Sequence, residues 1–393
     1  MKILFLGAFI PVPVTDGDKV RARWTLSTLA RRHRVHGFFL DPEGRAGLPS
    51  VIRRWCVAAE VVPTTRWHRA VGALAAVARG RTAHAHAFWN RAAQSRLDAF
   101  IARWRPDAIH VHRIRMMPYA ERTGLPYLLD ATDCLSWYFR HARGLPGWRR
   151  LYAAADLTAL VRHERRWANG AAAVTVITET ERTKILSMGV HRPVVVSPNG
   201  LDATAFAPGK SRRSGLLFVG NLGYPPNAAG LDWYFRAIAP RLGTGTRRVP
   251  LTIAGGGASP ALTRVAAASG LPVRFTGFVA SLGPLYRGAA AVLCPLPLAA
   301  GLQNKAIEAM AAGTPVVATP NVAAAMGARP GRDLAVAADA MGFARAVDRL
   351  VAHPSRGRRL GAAGRTLVRT RFGAPAARRA LERAVRLLEA AAR

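Results

Sequence analysis

Residues 2–7 form a short apolar run, a loop bearing Pro11, Pro13 and Gly17 follows, residues 18–32 carry helical periodicity, and 35–40 are apolar again. Short apolar runs bounded by turn residues suit strands buried on both faces, and parallel strands need a helical crossover between them. After a stretch rich in Pro, Gly and Arg at 198–215 the pattern restarts, with runs at 216–219, 251–254, 273–275, 291–293 and 316–318 alternating with helical segments. The pattern predicts an α/β protein of two Rossmann-like, doubly wound domains facing across a cleft, at 1–205 and 206–374. A final helix at 375–393 presents Leu381, Val385 and Leu388 on one side and is expected to pack back on the first domain.

One segment departs from this regular alternation. Residues 66–79 put Trp67, Val71, Leu74 and Ala78 on one helical face, with Arg66 and Arg69 off it. The plainer expectation is a surface helix that packs this face on its own domain. The alternative is a membrane-surface helix, with Arg53, Arg54, Trp55, Trp104 and Arg105 as further interfacial residues.

Composition narrows the classes. Half of the 393 residues are hydrophobic and a fifth are charged, which excludes a disordered chain. No apolar run approaches the ~20 residues of a membrane span, and the first nine residues do not read as a secretory signal. Cys56, Cys134 and Cys294 lie far apart with no CxxC pair, against both a zinc site and a disulfide framework, so a cytoplasmic setting is expected. Cys134 and Cys294 adjoin strand ends and are expected to be small buried side chains. Charge is the anomaly: 57 basic against 22 acidic residues give +35, with five lysines among the basic residues. Such a surplus points to a polyanionic partner, whether nucleic acid, an anionic bilayer or a phosphorylated substrate.

The densest chemistry lies at 300–319, AGLQNKAIEAMAAGTPVVAT. Gly301 breaks the chain after a strand, and a helix starting near Asn304 leaves free amides that favour an anion. Lys305 in the first turn adds a full charge, and Glu308 follows one turn later, about 5 Å along the axis. This spacing suits a nucleotide diphosphate, with phosphates at the helix end and a carboxylate for the ribose hydroxyls. An i,i+3 surface pair of Lys305 with Glu308 is the competing reading. Two other signals are weak. Asp16, Gly17 and Asp18 spell DxD, yet Asp18 is equally a helix cap, and Gly255, Gly256 and Gly257 do not complete GxGxxG.

On these residues the chain resembles the retaining family 4 glycosyltransferases of GT-B fold, whose pattern is a glutamate, seven residues, a second glutamate, then AMAxGxPVVAT. Glu308 matches the second glutamate, which the resemblance makes the ribose ligand, and Ala300 stands at the first. GLQNKxxEAMA is most similar to bacterial exopolysaccharide-associated sugar transferases. The resemblance implies that Gly301, Leu302, Gln303 and Asn304 line the donor diphosphate. GNLGYPPNAAGLDWYF at 220–235 opens the second domain, with Asn221 in place of a phosphate-binding arginine and Asn227 near its lysine partner, which shifts the burden to Lys305. Gly277 and Phe278, with Thr276 and Val279, look like the nucleobase loop. In the first domain, His112 of DAIHVH corresponds to the residue facing the donor sugar while His110 supports the strand, Gly17 approaches the donor phosphate, and Asp130 and Asp133 of DATD fall on the acceptor side.

The resemblance implies a hexosyltransferase that moves sugar from a UDP or GDP donor to a glycan, lipid-linked or small-molecule acceptor. It implies retained configuration, no metal or other cofactor, no specific nucleic acid partner, and a cytoplasmic location that extends to the inner face of the plasma membrane. The rivals are an inactive transferase-fold basic binding protein and a sugar-nucleotide epimerase or phosphorylase on the same fold.

Overall fold

A computed structural model describes residues 1–14, 17–42, 44, 48–140, 147–202, 205–209, 213–297 and 301–393, with the backbone alone at 66 and 147–153. The chain divides into two compact units, 1–199 with 378–393, and 200–377.

The first unit is built on seven parallel strands: β1 (Lys2–Gly7), β2 (Arg34–Asp41), β3 (Ala58–Pro63), β4 (Ala108–His112), β5 (Tyr127–Thr132), β6 (Ala173–Val176) and β7 (Val194–Val196). Their order is β3-β2-β1-β4-β5-β6-β7. The direction of winding reverses between β1 and β4, where Gly7 pairs with His112, and at such a switch point an open parallel sheet leaves a crevice beyond the carboxyl ends of its strands. Central strands are apolar throughout because helices cover both faces; Ile3, Leu4, Phe5 and Leu6 are all wholly buried. One of those faces is closed by the end of the chain. Leu381, Ala384, Val385 and Leu388 of the helix Ala374–Ala391 pack with Ile3, Phe5 and Leu26.

The second unit repeats the plan with β8 (Leu216–Val219), β9 (Leu251–Ala254), β10 (Val273–Gly277), β11 (Ala291–Cys294), β12 (Val316–Ala318) and β13 (Ala335–Val336). The order β10-β9-β8-β11-β12-β13 is that of the first six strands of the other sheet. Its five longer strands coincide with the apolar runs of the sequence. β13 has only two residues, too few for periodicity to reveal.

The helix expected over 66–79 forms as α2 (Arg66–Ala78), N-capped by Thr65, whose hydroxyl accepts from the His68 amide at 3.2 Å. It packs with the face opposite to the expected one. Gly72 lies against the next helical turn so closely that an added Cβ would stand 3.1 Å from the Ala87 carbonyl oxygen, and Ala76 is buried. Trp67, Val71 and Leu74 point to solvent. The small residues allow the close approach that the large apolar ones would prevent.

Candidate active site

In the second unit, β8 runs into the loop Gly220, Asn221, Leu222, Gly223, and three backbone bonds tie neighbouring strand ends together. The Gly220 amide donates to Ala254 at 2.9 Å, Leu222 to Gly256 at 2.8 Å, and Gly255 to Gly277 at 2.9 Å. Glycine is required at Gly255: its φ is +146°, and a Cβ would lie 1.9 Å from the Gly220 oxygen. The glycine triplet thus serves backbone packing in this loop cluster.

Beside the cluster, the helix Asn304–Ala311 begins without a side-chain cap from Gln303. Gly301, buried with φ +63°, makes the turn into it, and Leu302, Gln303 and Asn304 are half-buried at its start. Lys305 in the first turn is 7% exposed. Its Nζ donates to Asn227 Oδ1 at 2.6 Å and stands 4.9 Å from the centre of the Phe218 ring. Asn227 Nδ2 in turn donates to the Asn221 carbonyl at 2.8 Å, and Asn221 Oδ1 accepts from the Gly223 amide at 2.9 Å. Residues from two separate segments, with Lys305 and Asn227 78 positions apart, therefore form one chain of hydrogen bonds. Gly220 leaves the room, since a Cβ there would meet Asn227 Nδ2 at 2.7 Å.

Glu308, one turn on, turns away from Lys305. Its Oε2 accepts from the buried Tyr286 hydroxyl at 2.8 Å, so the two are not a surface ion pair. Burial pushes the Glu308 carboxyl up to about 7, against the pull of the Tyr286 hydroxyl and Lys305. Burial likewise brings the Lys305 ammonium down to about 8. Gly277 ends β10 with φ +67°, and Phe278 beyond it is 81% exposed. Ala300 lies outside the described residues.

The first unit gathers a second polar group at its switch point. His112 ends β4 wholly buried, its Nδ1 3.1 Å from Asp130 Oδ2. Its Nε2 is buried with no hydrogen-bond partner among the described residues. Asp130, expected on the acceptor side, is also wholly buried, and both of its oxygens are engaged. Arg21 of α1 (Gly17–Leu29) donates through Nε at 2.8 Å, and Thr175 Oγ1 donates at 3.0 Å. Burial by itself would raise the Asp130 carboxyl, but Arg21 and His112 hold it well below the usual carboxylate range. Its task here is to fix His112. His110, His112 and Asp130 place ligand atoms within 4.8 Å of one another, the one such group among the described residues. The guanidinium already on Asp130 makes it a poor cation site.

Asp133 lies 20 residues from Arg113, which donates to it at 3.0 Å and also to Asp18. Arg113 holds φ +70° and ψ 148°, a region nearly confined to glycine, while its amide donates to the Asp130 carbonyl. Burial would favour loss of its proton; the two carboxylates override that and raise its pKa. Asp18 is thereby neutralised by Arg113, and Asp16 lies outside the described residues. Gly17 opens α1 and is exposed. Arg21, Arg113 and Tyr286 were not singled out from the sequence. Nothing distinguishes two arginines among so many, and Tyr286 lies in a short helix, Gly283–Gly288, without a motif.

Residues 213–353 match the family described as glycosyl transferases group 1. The solved structure of sucrose-phosphate synthase from Thermosynechococcus elongatus is similar over all of both chains, at 18% identity and a TM-score of 0.75. The chain has the GT-B fold. HepE of Anabaena, solved with UDP and glucose, is similar over 98% of this chain and 99% of its own, with 15% identity and a TM-score of 0.70. The α,α-trehalose 6-phosphate synthase of Burkholderia multivorans is similar over all of both chains at 14% identity, with a TM-score of 0.65. No curated protein sequence matches. The Lys305, Asn227, Asn221 and Glu308 group lies wholly within the span of the glycosyl transferases group 1 match, so in this GT-B chain the matched domain and the polar cluster coincide.

Proposed function

We propose that this protein is a retaining, metal-independent hexosyltransferase of the family 4 type, acting in the cytoplasm. It moves a sugar from a UDP or GDP donor to a glycan, lipid-linked or small-molecule acceptor, as exopolysaccharide-associated transferases do. The observation that carries the reading is a buried Lys305 at a helix start, bonded to Asn227, with Glu308 one turn along, inside the glycosyl transferases group 1 match. A diphosphate at the helix start meets the amides of Gln303 and Asn304 and the Lys305 ammonium, and Asn227 swings from amine acceptor to phosphate donor through Nδ2. Glu308 accepts the ribose hydroxyls, and the loop at Gly277 and Phe278 receives the base.

Transfer proceeds without a protein nucleophile. The departing phosphate oxygen takes the proton of the acceptor hydroxyl as that hydroxyl attacks the anomeric carbon from the same face, and the C–O bond to the diphosphate breaks. Lys305 stabilises the charge that grows on the leaving group, and His112 Nε2 bonds a sugar hydroxyl. The test is a screen of UDP- and GDP-sugars against candidate acceptors. Release of UDP or GDP only when acceptor is present supports transfer; release that ignores acceptor, or none with any donor that binds, rejects it.

A further inference from the structure

The outward face of α2 is an apolar stripe on which no described residue of its own unit packs. Trp67, Val71, Leu74 and Val77 are 75%, 49%, 73% and 57% exposed, four of the ten large apolar side chains standing exposed among the described residues. An apolar face of this kind on one helix marks an interaction surface rather than scattered exposure. Its surroundings are strongly basic. Residues 61–97 contain six arginines and no acidic residue. At the carboxyl end of α2, Arg162 of the helix Gly147–Gly170 donates to the Gly80 carbonyl. That contact places the carboxyl end of α2 beside an open groove of about 690 Å³ lined by Arg140, Arg162, Arg165 and Arg166 around Leu157 and Val161. Of these arginines, Arg166 is paired with Glu121.

We propose that this face of the first unit docks on an anionic lipid bilayer, with α2 lying in the interface and the arginine groove taking lipid phosphate. The charges decide among occupants. A second copy would set arginine against arginine between chains of +35 each. A nucleic acid would meet the arginines but leave Trp67 and Leu74 in water. An anionic bilayer covers both features: acyl chains take the stripe and headgroups take the rim. No helix among the described residues is long and apolar enough to cross a membrane, so attachment here is from one side. This proposal does not depend on the transferase reading.

The test uses the full chain with phosphatidylglycerol/phosphatidylcholine vesicles and with phosphatidylcholine alone. Cys56, Cys134 and Cys294 are all buried, so an environment-sensitive dye placed at Leu74→Cys reports on α2, with Ser355→Cys in the second unit as control. The expected result is a blue shift of the dye at 74, not at 355, with anionic vesicles only. Trp67→Ser with Leu74→Ser should weaken sedimentation by at least about ten-fold at physiological salt, and Arg162→Glu with Arg165→Glu by a similar factor that shrinks as salt rises. A dye at 74 that stays in water while the protein sediments overturns the proposal, because charge elsewhere then does the binding. So does unchanged binding of the Trp67/Leu74 variant, equal binding to both vesicle types, or a vesicle-free dimer that this variant abolishes.

Discussion

The two units share the order of six strands and place polar clusters at the carboxyl ends of central strands, yet they treat charge in opposite ways. In the first unit cation meets carboxylate directly: Arg21 on Asp130, and Arg113 on Asp18 and Asp133. The arginines, against the opposing effect of burial, hold the Asp130 and Asp18 carboxyls below their usual range. In the second unit Lys305 and Glu308 sit one helical turn apart, but each is bonded to a neutral group, Asn227 or Tyr286. Burial is therefore only partly offset, and it brings the Lys305 ammonium down to about 8 and pushes the Glu308 carboxyl up to about 7. A charge already matched inside the protein is a brace. A buried charge with a neutral partner gains most when a ligand of opposite sign arrives, and this difference is why we propose the second cluster as the ligand-binding one and the first as scaffold around His112.

The largest effect that would break this contrast is on stability. Arg21→Met leaves Asp130 buried without its cation and should cost about 3–5 kcal/mol, seen in calorimetry as a fall in Tm of roughly 10 °C. Asp130→Asn in the same chain should recover part of it. An unchanged Tm would mean that the pair is not a brace. Next in size, Lys305→Ala should lower kcat by at least ~100-fold while donor KM changes much less, because the diphosphate carries more charge in the transition state. Lys305→Arg should recover only part, since a planar fork does not place its charge where a compact ammonium does. A fully active Lys305→Ala enzyme would move the leaving-group role to another cation.

Titration sharpens the comparison further. Phosphate binding favours protonated Lys305, so nucleotide affinity should fall by up to about ten-fold per unit as pH rises above about 8. Ribose hydroxyls favour ionised Glu308, so affinity should also fall as pH drops below about 7. Calorimetric titrations with UDP or GDP should thus peak between these values. Glu308→Gln should bind about ten-fold to several-hundred-fold more weakly and lose the acid limb. The ligand's own phosphate titration is common to both proteins and cancels in the comparison. An unaltered acid limb in Glu308→Gln would remove that carboxyl from the site. The smallest effect is expected of Tyr286→Phe. It removes one bond to the Glu308 carboxylate, should weaken binding by about five-fold, and should move the acid limb to higher pH. A variant that weakens binding without moving the limb would limit Tyr286 to packing.

Much of this was legible before folding was considered. Apolar runs located β8 to β12 because strands covered on both faces leave little choice of residue. The start of the Lys305 helix was marked by Gly301 and by the change of period after it. Side-chain direction was less accessible. On α2 the periodicity was right and the face was wrong: hydropathy identifies an apolar stripe, but packing at Gly72 follows from the approach of the Ala87 backbone, which no local pattern reports.

Local and medium-range physics thus settled the parts that depend on neighbours along the chain: strand and helix periods, the glycine turns, and the lysine and carboxylate one turn apart. Partner choice came only with the tertiary fold. Arg21 reaches Asp130 across 109 residues, Lys305 reaches Asn227 across 78, and Tyr286 reaches Glu308 across 22. Whether a charge becomes a brace or a binding group depends on the dielectric and the partner it meets. Both are properties of what the sheet brings together, and a one-dimensional string of residue types contains neither.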